Sequence, residues 1–245
     1  MPDANMLAES IRAAASEIGY VACGFTTTEP FDGLDTELER RAQSYPDAAD
    51  DYRRMQKRTD PCRTTPWACS IVVCIRHYGK YDIPSGMTDH FGRNYLADRR
   101  ITSCPDYDMP RRMTHSLKQL GLKVKRGGVP DRAAAARAGV VAIGRNGFAY
   151  TSGCGSWINI ETWRVNAPLP PGEPLPCPCP DGCRACLAGC PTQAIEAPFR
   201  VRMDRCIAYL TYDTPGPIAP ELLPLMGAWI YGCDVCQNVC PLNRD

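Results

Sequence analysis

One cysteine spacing occurs twice toward the end of this chain. Cys183, Cys186 and Cys190 are followed by Pro191, and Cys233, Cys236 and Cys240 by Pro241, so C-x2-C-x3-C-P appears in two places. Nothing else in the sequence restricts the fold as strongly. Thiols this dense must be cross-linked, hold metal, or pack as small apolar groups, and their spacing separates the three cases. The sequence holds 15 cysteines, an odd number that no fully paired disulfide framework within one chain can use. Metal ligation is the better account.

Zinc sites favour two separated C-x2-C pairs without a Cys-Pro step. Low-potential 4Fe-4S clusters of the bacterial ferredoxin type use C-x2-C-x2-C-x3-C-P, in which three close cysteines hold one cube and the fourth, ahead of proline, ligates the other. Both repeats match the last three positions of that pattern, which predicts two 4Fe-4S clusters. The first position is less regular. Cys179 stands one residue too far from Cys183 and Cys177 three too far; we prefer Cys179, because one inserted residue is easier to absorb than three. For the second repeat the candidate is Cys206, separated from Cys233 by 26 intervening residues. Crossing the fourth ligands gives one set of Cys179, Cys183, Cys186 and Cys240, and another of Cys206, Cys233, Cys236 and Cys190. The remaining cysteines, at 23, 62, 69, 74, 104, 154 and 177, read as ordinary thiols, with Cys74 a small buried hydrophobe inside an apolar strand.

Composition tilts the partner classes. The 28 basic and 27 acidic residues nearly cancel, so no global field draws the chain to nucleic acid or an anionic membrane. No run of eighteen apolar residues is present. The opening stretch has no basic leader or cleavage site and reads as an amphipathic helix over residues 5–18 ended by Gly19. A cytoplasmic protein with no membrane partner is expected.

Two regions differ in texture. Residues 1–166 interleave strand-like runs, "SIVVCI" (70–75), "VVAIGRNGFAYT" (140–151) and "SWINIETWRV" (156–165), with helix frames at 110–121 and 130–139 that carry proline near the start and glycine at the end. Residues 167–182 contain seven prolines, too many for a helix or a central strand. We place a domain boundary there: 1–166 as an α+β domain, and 167–245 as a proline-rich connector with a cysteine module too small to hold together without metal.

"CRACLAGCPTQAI", "DRCIAYLT" and "GPIAPELLPLMGAWIYGCDVCQNVCPLN" together resemble the ferredoxin half of the epoxyqueuosine reductases, cobalamin-dependent 4Fe-4S enzymes related to the reductive dehalogenases. "ARAGVVAIGRNGF" and "GCGSWINIE" resemble that family's upstream stretches. The resemblance implies an α+β fold, with a nitroreductase-like cobalamin-binding domain followed by a ferredoxin-like two-cluster domain. It further implies cobalamin bound base-off, which agrees with the lack of a D-x-H-x-x-G signature around His77, His90 and His115. Arg145 and Ser156 are then candidate cofactor contacts. An external low-potential electron donor would feed the clusters, and cobalt would be reduced to Co(I).

Departures from the family pattern shape the functional expectation. Counting back without gaps from Gly139, the family's catalytic Asp falls on Lys125, and its D-Y-H tyrosine falls on Tyr107. Tyr107 and Lys125 would then resemble the Tyr and Lys or Arg pair of the dehalogenases, with the ammonium steadying a phenolate after proton donation. The sequence ends at Asp245 without the helical-repeat tail of many members, and its charges cancel, so tRNA is not expected as a partner. The expected function is a cobalamin-dependent oxidoreductase acting on a small-molecule substrate. The alternatives are an electron-transfer protein serving another corrinoid enzyme, or epoxyqueuosine reduction in tRNA.

Overall fold

The computed structural model of the chain describes residues 3–96, 106–213 and 216–244. In chain order the elements begin with helix α1 (Ala4–Ile18), strand β1 (Ala22–Thr27), helices α2 (Asp32–Ser44) and α3 (Ala49–Gln56), and strand β2 (Ser70–His77). Next come α4 (Arg93–Leu96), α5 (Met109–Gln119), β3 (Val124–Arg126), α6 (Asp131–Arg137), β4 (Ala142–Ile143), β5 (Ala149–Tyr150) and β6 (Ile158–Val165). The cysteine-rich end adds α7 (Ala185–Gly189), β7 (Ile195–Ala197), β8 (Arg200–Val201), α8 (Ile207–Tyr212) and α9 (Val235–Asn238). The architecture is mixed helix and sheet. No helix among the described residues is long and apolar enough to cross a membrane.

The chain forms two compact units that interleave in sequence: Met1–His77 with Arg99–Ala142 and Ile158–Pro176, and Tyr78–Asp98 with Ile143–Trp157 and Cys177–Asp245. The first unit is built on an antiparallel sheet of order β1-β2-β6-β3. Strand β2 is central and buried on both faces, which is why "SIVVCI" is continuously apolar rather than alternating. On one face α1 contributes Leu7, Ala8, Ile11 and Ala15, and α5 contributes Met109, Met113 and Leu117, to a core with Phe25, Val72, Cys74 and Trp163. The periodicity of α1 predicts this burial, and Gly19 ends the helix in the left-handed conformation, φ +107°. Cys74 is fully buried in this core, as a small apolar side chain would be.

Strand β6 carries polar side chains into buried positions, where Glu161, Trp163 and Arg164 all find partners among the described residues, with only the Arg164 Nε left without one. Glu161 accepts from the Tyr20 hydroxyl at 2.5 Å and from Arg126 at 3.5 Å. Arg164 donates through Nη1 to the hydroxyls of Thr64 and Thr65, both at 2.8 Å. Trp163 is fully buried yet keeps its indole N–H satisfied by Thr114 at 2.8 Å.

The apolar run 140–151 is not one strand. It folds back as the β4–β5 hairpin, because Gly144 to Gly147 form its turn, with Gly147 at φ +78°. The glycines at the run's centre are the physical reason: they supply a backbone that a continuous strand does not need.

Ahead of this hairpin, Gly139 follows α6 at φ +68°, and a Cβ there would collide with the Glu173 carbonyl oxygen. Gly172 lies as close to Ala138, and donates its N–H to Phe25 O at 2.9 Å. Part of the proline-rich segment thus packs against the first unit. Gly139→Ala should destabilise the protein by roughly 2 kcal/mol, through the unfavourable φ and the backbone collision. Chemical denaturation of both proteins measures this, and a loss below about 0.5 kcal/mol would show that the segment moves aside freely.

Candidate functional site

The two cysteine repeats become one local structure used twice. Gly182 and Gly232, each just before the first cysteine of its repeat, sit in the left-handed region at φ +68° and +78°. Helices α7 and α9 follow, with Cys186 and Cys236 in their first turns. Each repeat then ends on a cysteine with extended backbone: φ −72°, ψ 111° at Cys190 and φ −75°, ψ 124° at Cys240. Proline disfavours the helical conformation at the residue before it, so the Cys-Pro step stops the helix and leaves the last cysteine in extended backbone. Cys206 precedes α8 in the same extended form, φ −74°, ψ 118°.

These local shapes bring the thiols into two groups within the second unit. Cys179, Cys183, Cys186 and Cys240 line one cavity, with Arg145, Asn146 and Tyr150 beside them. Cys190, Cys206, Cys233 and Cys236 form the other group. Burial, then the neighbouring Cys206, Cys233 and Cys190, push the Cys236 thiol well above its usual range. Burial likewise pushes Cys233 up to about 12, against the opposing N–H of Val235. Such thiols keep their protons until a metal replaces them. Among the described residues no three His, Cys, Asp or Glu side chains converge on a single ion. Cys177 is exposed, and its thiol is near enough to Cys179 to help raise that thiol, after burial. Cys104 lies outside the described residues.

A polar frame surrounds both groups. The Arg145 backbone N–H donates to Cys179 Sγ at 3.3 Å, and its Nη1 donates to the carbonyls of Cys183 at 2.5 Å and Pro180 at 3.4 Å. Tyr150 donates its hydroxyl to Cys240 Sγ at 3.2 Å. Burial first, then the Cys240 thiol, raise the Tyr150 phenol, so the hydroxyl keeps its proton at neutral pH. Ser156 is buried, accepting from Asn243 Nδ2 at 2.8 Å and donating to Gln237 Oε1 at 2.9 Å. In the second group, the Ala194 N–H reaches Cys190 Sγ at 3.2 Å. The Arg93 N–H reaches Asp234 at 2.7 Å, beside Cys233; burial raises the Asp234 carboxyl, and the Arg93 contacts partly offset this.

The other residues singled out from the sequence divide between the two units. Arg145 and Ser156 are engaged in the polar frame. Tyr107 and Lys125 belong to the first unit, Tyr107 largely exposed just before α5 and Lys125 exposed on β3. Lys125 is held through its backbone in the β3–β6 ladder opposite Arg164, and among the described residues no side-chain hydrogen bond or ion pair engages Tyr107 or Lys125. Asn146, Tyr150, Gln237 and Asn243 went unnoticed in the sequence, where only the repeat spacing signals chemistry and nothing links position 150 to position 240.

The family model for a 4Fe-4S double cluster binding domain matches residues 179–243, so this part of the chain is a 4Fe-4S binding domain. The epoxyqueuosine reductase of Staphylococcus aureus is 31% identical over 99% of this chain and 66% of its own length. That of Xanthomonas campestris pv. campestris is 31% identical over 99% of this chain and 72% of its own. Among solved structures, an epoxyqueuosine reductase with an epoxyqueuosine-modified tRNA-Tyr stem loop superposes at TM-score 0.82 with 28% identity, covering 98% of this chain and 66% of that one. A reductive dehalogenase, described with a mechanism for B12-dependent dehalogenation, superposes at TM-score 0.58 with 12% identity, covering 96% of this chain and 32% of that one, and shows the shared fold.

These findings correct two expectations. A small-molecule substrate is overturned, because the relatives that match nearly the whole chain are epoxyqueuosine reductases. The exclusion of tRNA is overturned by the relative solved with a tRNA stem loop. The physical error was to read a summed charge as a surface. The net charge of +1 conceals residues 109–128, which hold Arg111, Arg112, Lys118, Lys123, Lys125 and Arg126 and no acidic residue. With identity of this level along nearly all of its length and most of the Xanthomonas enzyme's, this chain belongs to the epoxyqueuosine reductase family.

Proposed function

We propose that the chain reduces epoxyqueuosine in tRNA. The observation that carries this reading is the tRNA-bound relative, matched over 98% of this chain. Two 4Fe-4S clusters belong to it, one held by Cys179, Cys183, Cys186 and Cys240 and the other by Cys190, Cys206, Cys233 and Cys236. The two thiol groups and the N–H and O–H donors around them fit such clusters, which supply low-potential single electrons when bound. An external donor provides those electrons, and the reducing compartment that keeps the thiols free is the cytoplasm.

Cobalamin, bound base-off in a nitroreductase-like first unit, completes the reading, and the dehalogenase likeness supports it by fold alone. Arg145 and Ser156 do not fit as its contacts: the Arg145 guanidinium donates to the Cys183 and Pro180 carbonyls, and Ser156 is buried against Asn243 and Gln237.

Local charge supports the tRNA half of the proposal. On α5, Arg111, His115 and Lys118 follow at i, i+4 and i+7 on the exposed face, opposite buried Met113 and Leu117, and exposed Lys123 and Lys125 follow toward β3. Cations grouped this way attract phosphates whatever the net charge is. Tyr107 and Lys125, whose side chains have no hydrogen-bond or ion-pair partner among the described residues, remain our candidates for handling a proton at the substrate.

Anaerobic protein should carry about eight irons, the content of two 4Fe-4S clusters. Cys179→Ala should lose one cluster while Cys177→Ala keeps both. About four irons in the unaltered protein would remove the second cluster, and the opposite behaviour of the two variants would exchange the ligands.

With a chemical reductant and added cobalamin, the protein should convert an epoxyqueuosine-bearing stem loop to a product lighter by one oxygen, seen by mass spectrometry. No conversion by a fully loaded protein would overturn the function. Arg112→Glu with Lys118→Glu should weaken stem-loop binding and flatten its salt dependence by about one unit of slope per lost phosphate contact.

Lys125→Ala should lower turnover about 10²-fold with iron content retained and stem-loop binding weakened by no more than one phosphate contact, as expected on removing a group that assists proton transfer. Unchanged turnover would make Lys125 a solvated strand residue.

A further inference from the structure

The β4–β5 hairpin does more than connect two segments. Its turn and second strand deliver two hydrogen-bond donors to one thiol group: the Arg145 N–H to Cys179 Sγ, and the Tyr150 hydroxyl to Cys240 Sγ at 3.2 Å. The hydroxyl is aimed. Asn146 Nδ2 donates to Tyr150 Oη at 2.9 Å, occupying the oxygen's acceptor side and leaving its proton for the sulfur. The Asn146 amide is itself oriented, because its Oδ1 accepts the Phe148 N–H at 3.1 Å. Its second N–H reaches the carbonyl of Cys236, in the other thiol group, at 3.3 Å. Asn146, Tyr150 and Cys240 are all less than a tenth exposed, so water does not compete for these bonds. Gly144 makes room for the arrangement, because a Cβ there would collide with the Tyr150 ring.

The other thiol group is served differently. Thr192 places its hydroxyl 3.7 Å from Cys190 Sγ, and the shorter contact to that sulfur comes from the Ala194 backbone N–H at 3.2 Å.

We propose that the Tyr150 hydroxyl, oriented by Asn146, raises the reduction potential of the cluster held by Cys179, Cys183, Cys186 and Cys240. The inference rests on the two-cluster reading of the cysteine module. Reduction adds one electron to a cluster, with no bond broken and no proton moved, and the added charge is shared by the ligand sulfurs. A donor to such a sulfur is bound more strongly by the reduced form, so it stabilises that form and lifts the potential. Tyr150 is thus a positioning residue that tunes electron delivery without touching substrate. The same contact makes the two clusters electronically unequal.

The test is a potentiometric titration with dithionite, followed by electron paramagnetic resonance, on fully loaded protein. Tyr150→Phe keeps the ring over Gly144 and removes only the hydroxyl. It should retain the iron and sulfide of the unaltered protein and move one of the two midpoints to lower potential, leaving the other in place. Asn146→Ala, which leaves the hydroxyl unaimed, should move the same midpoint in the same direction by less. Unmoved midpoints in loaded Tyr150→Phe would overturn the inference, as would a rise. If that variant fails to hold the cluster, an unmoved midpoint in Asn146→Ala overturns it and a lowered one supports it. Unaltered protein without two 4Fe-4S signals would instead remove the cluster reading itself, which is a distinguishable result.

Discussion

The second unit depends on an exchange of cysteines between its two loops. Cys240, from the second repeat, lines a cavity with the thiols of the first, while Cys190, from the first repeat, stands among those of the second. Neither loop gathers four thiols by itself. The segment carries short helices and leaves large apolar side chains such as Leu223, Leu225 and Ile230 exposed, so ligation has to supply what a core of this size does not. Proline at the next position makes the exchange possible, because it fixes Cys190 and Cys240 in extended backbone at the helix end. Around that exchange lies a frame of oriented polar groups, from Asn146 and Tyr150 to Ser156, Gln237 and Asn243, whose hydrogen bonds hold the loops in register.

The first unit is held by different physics. Its central strand is buried on both faces, and α1 and α5 cover one of them. The polar residues admitted to its interior are paired locally, Glu161 with Tyr20 and Arg164 with Thr64 and Thr65. Burying these groups without hydrogen bonds would cost more than the bonds return, so such partners are a condition of the strand's composition. Close backbone contacts at Gly139 and Gly172 then fasten the proline-rich segment to this unit, through space that any side chain would fill.

The tRNA reading shows how a bulk quantity can mislead. Electrostatic attraction falls off within about 10 Å at ordinary ionic strength, so a phosphate responds to nearby cations and not to the sum over a chain. Residues 109–128, without an acidic side chain, were visible in the sequence as a local excess. The structure adds that much of the excess lies on the exposed face of α5 and on the approach to β3, opposite the residues that α5 buries.

By itself the sequence determined the features that local rules dictate. Spacing of cysteines and prolines pointed to iron–sulfur ligation, apolar periodicity to α1, β2 and β6, and proline and glycine placement to α5 and α6. It misread 140–151 as a strand, because apolar content was weighed above the glycines that turn the chain there. It could not show that Tyr150 and Asn146 meet Cys240 and Cys236, 90 residues away, since a contact between distant segments leaves no mark on either one's composition. Only the tertiary structure decided which donors face which thiols, and it decided this through packing: a glycine that admits a tyrosine ring, and an amide whose own hydrogen bonds choose its direction.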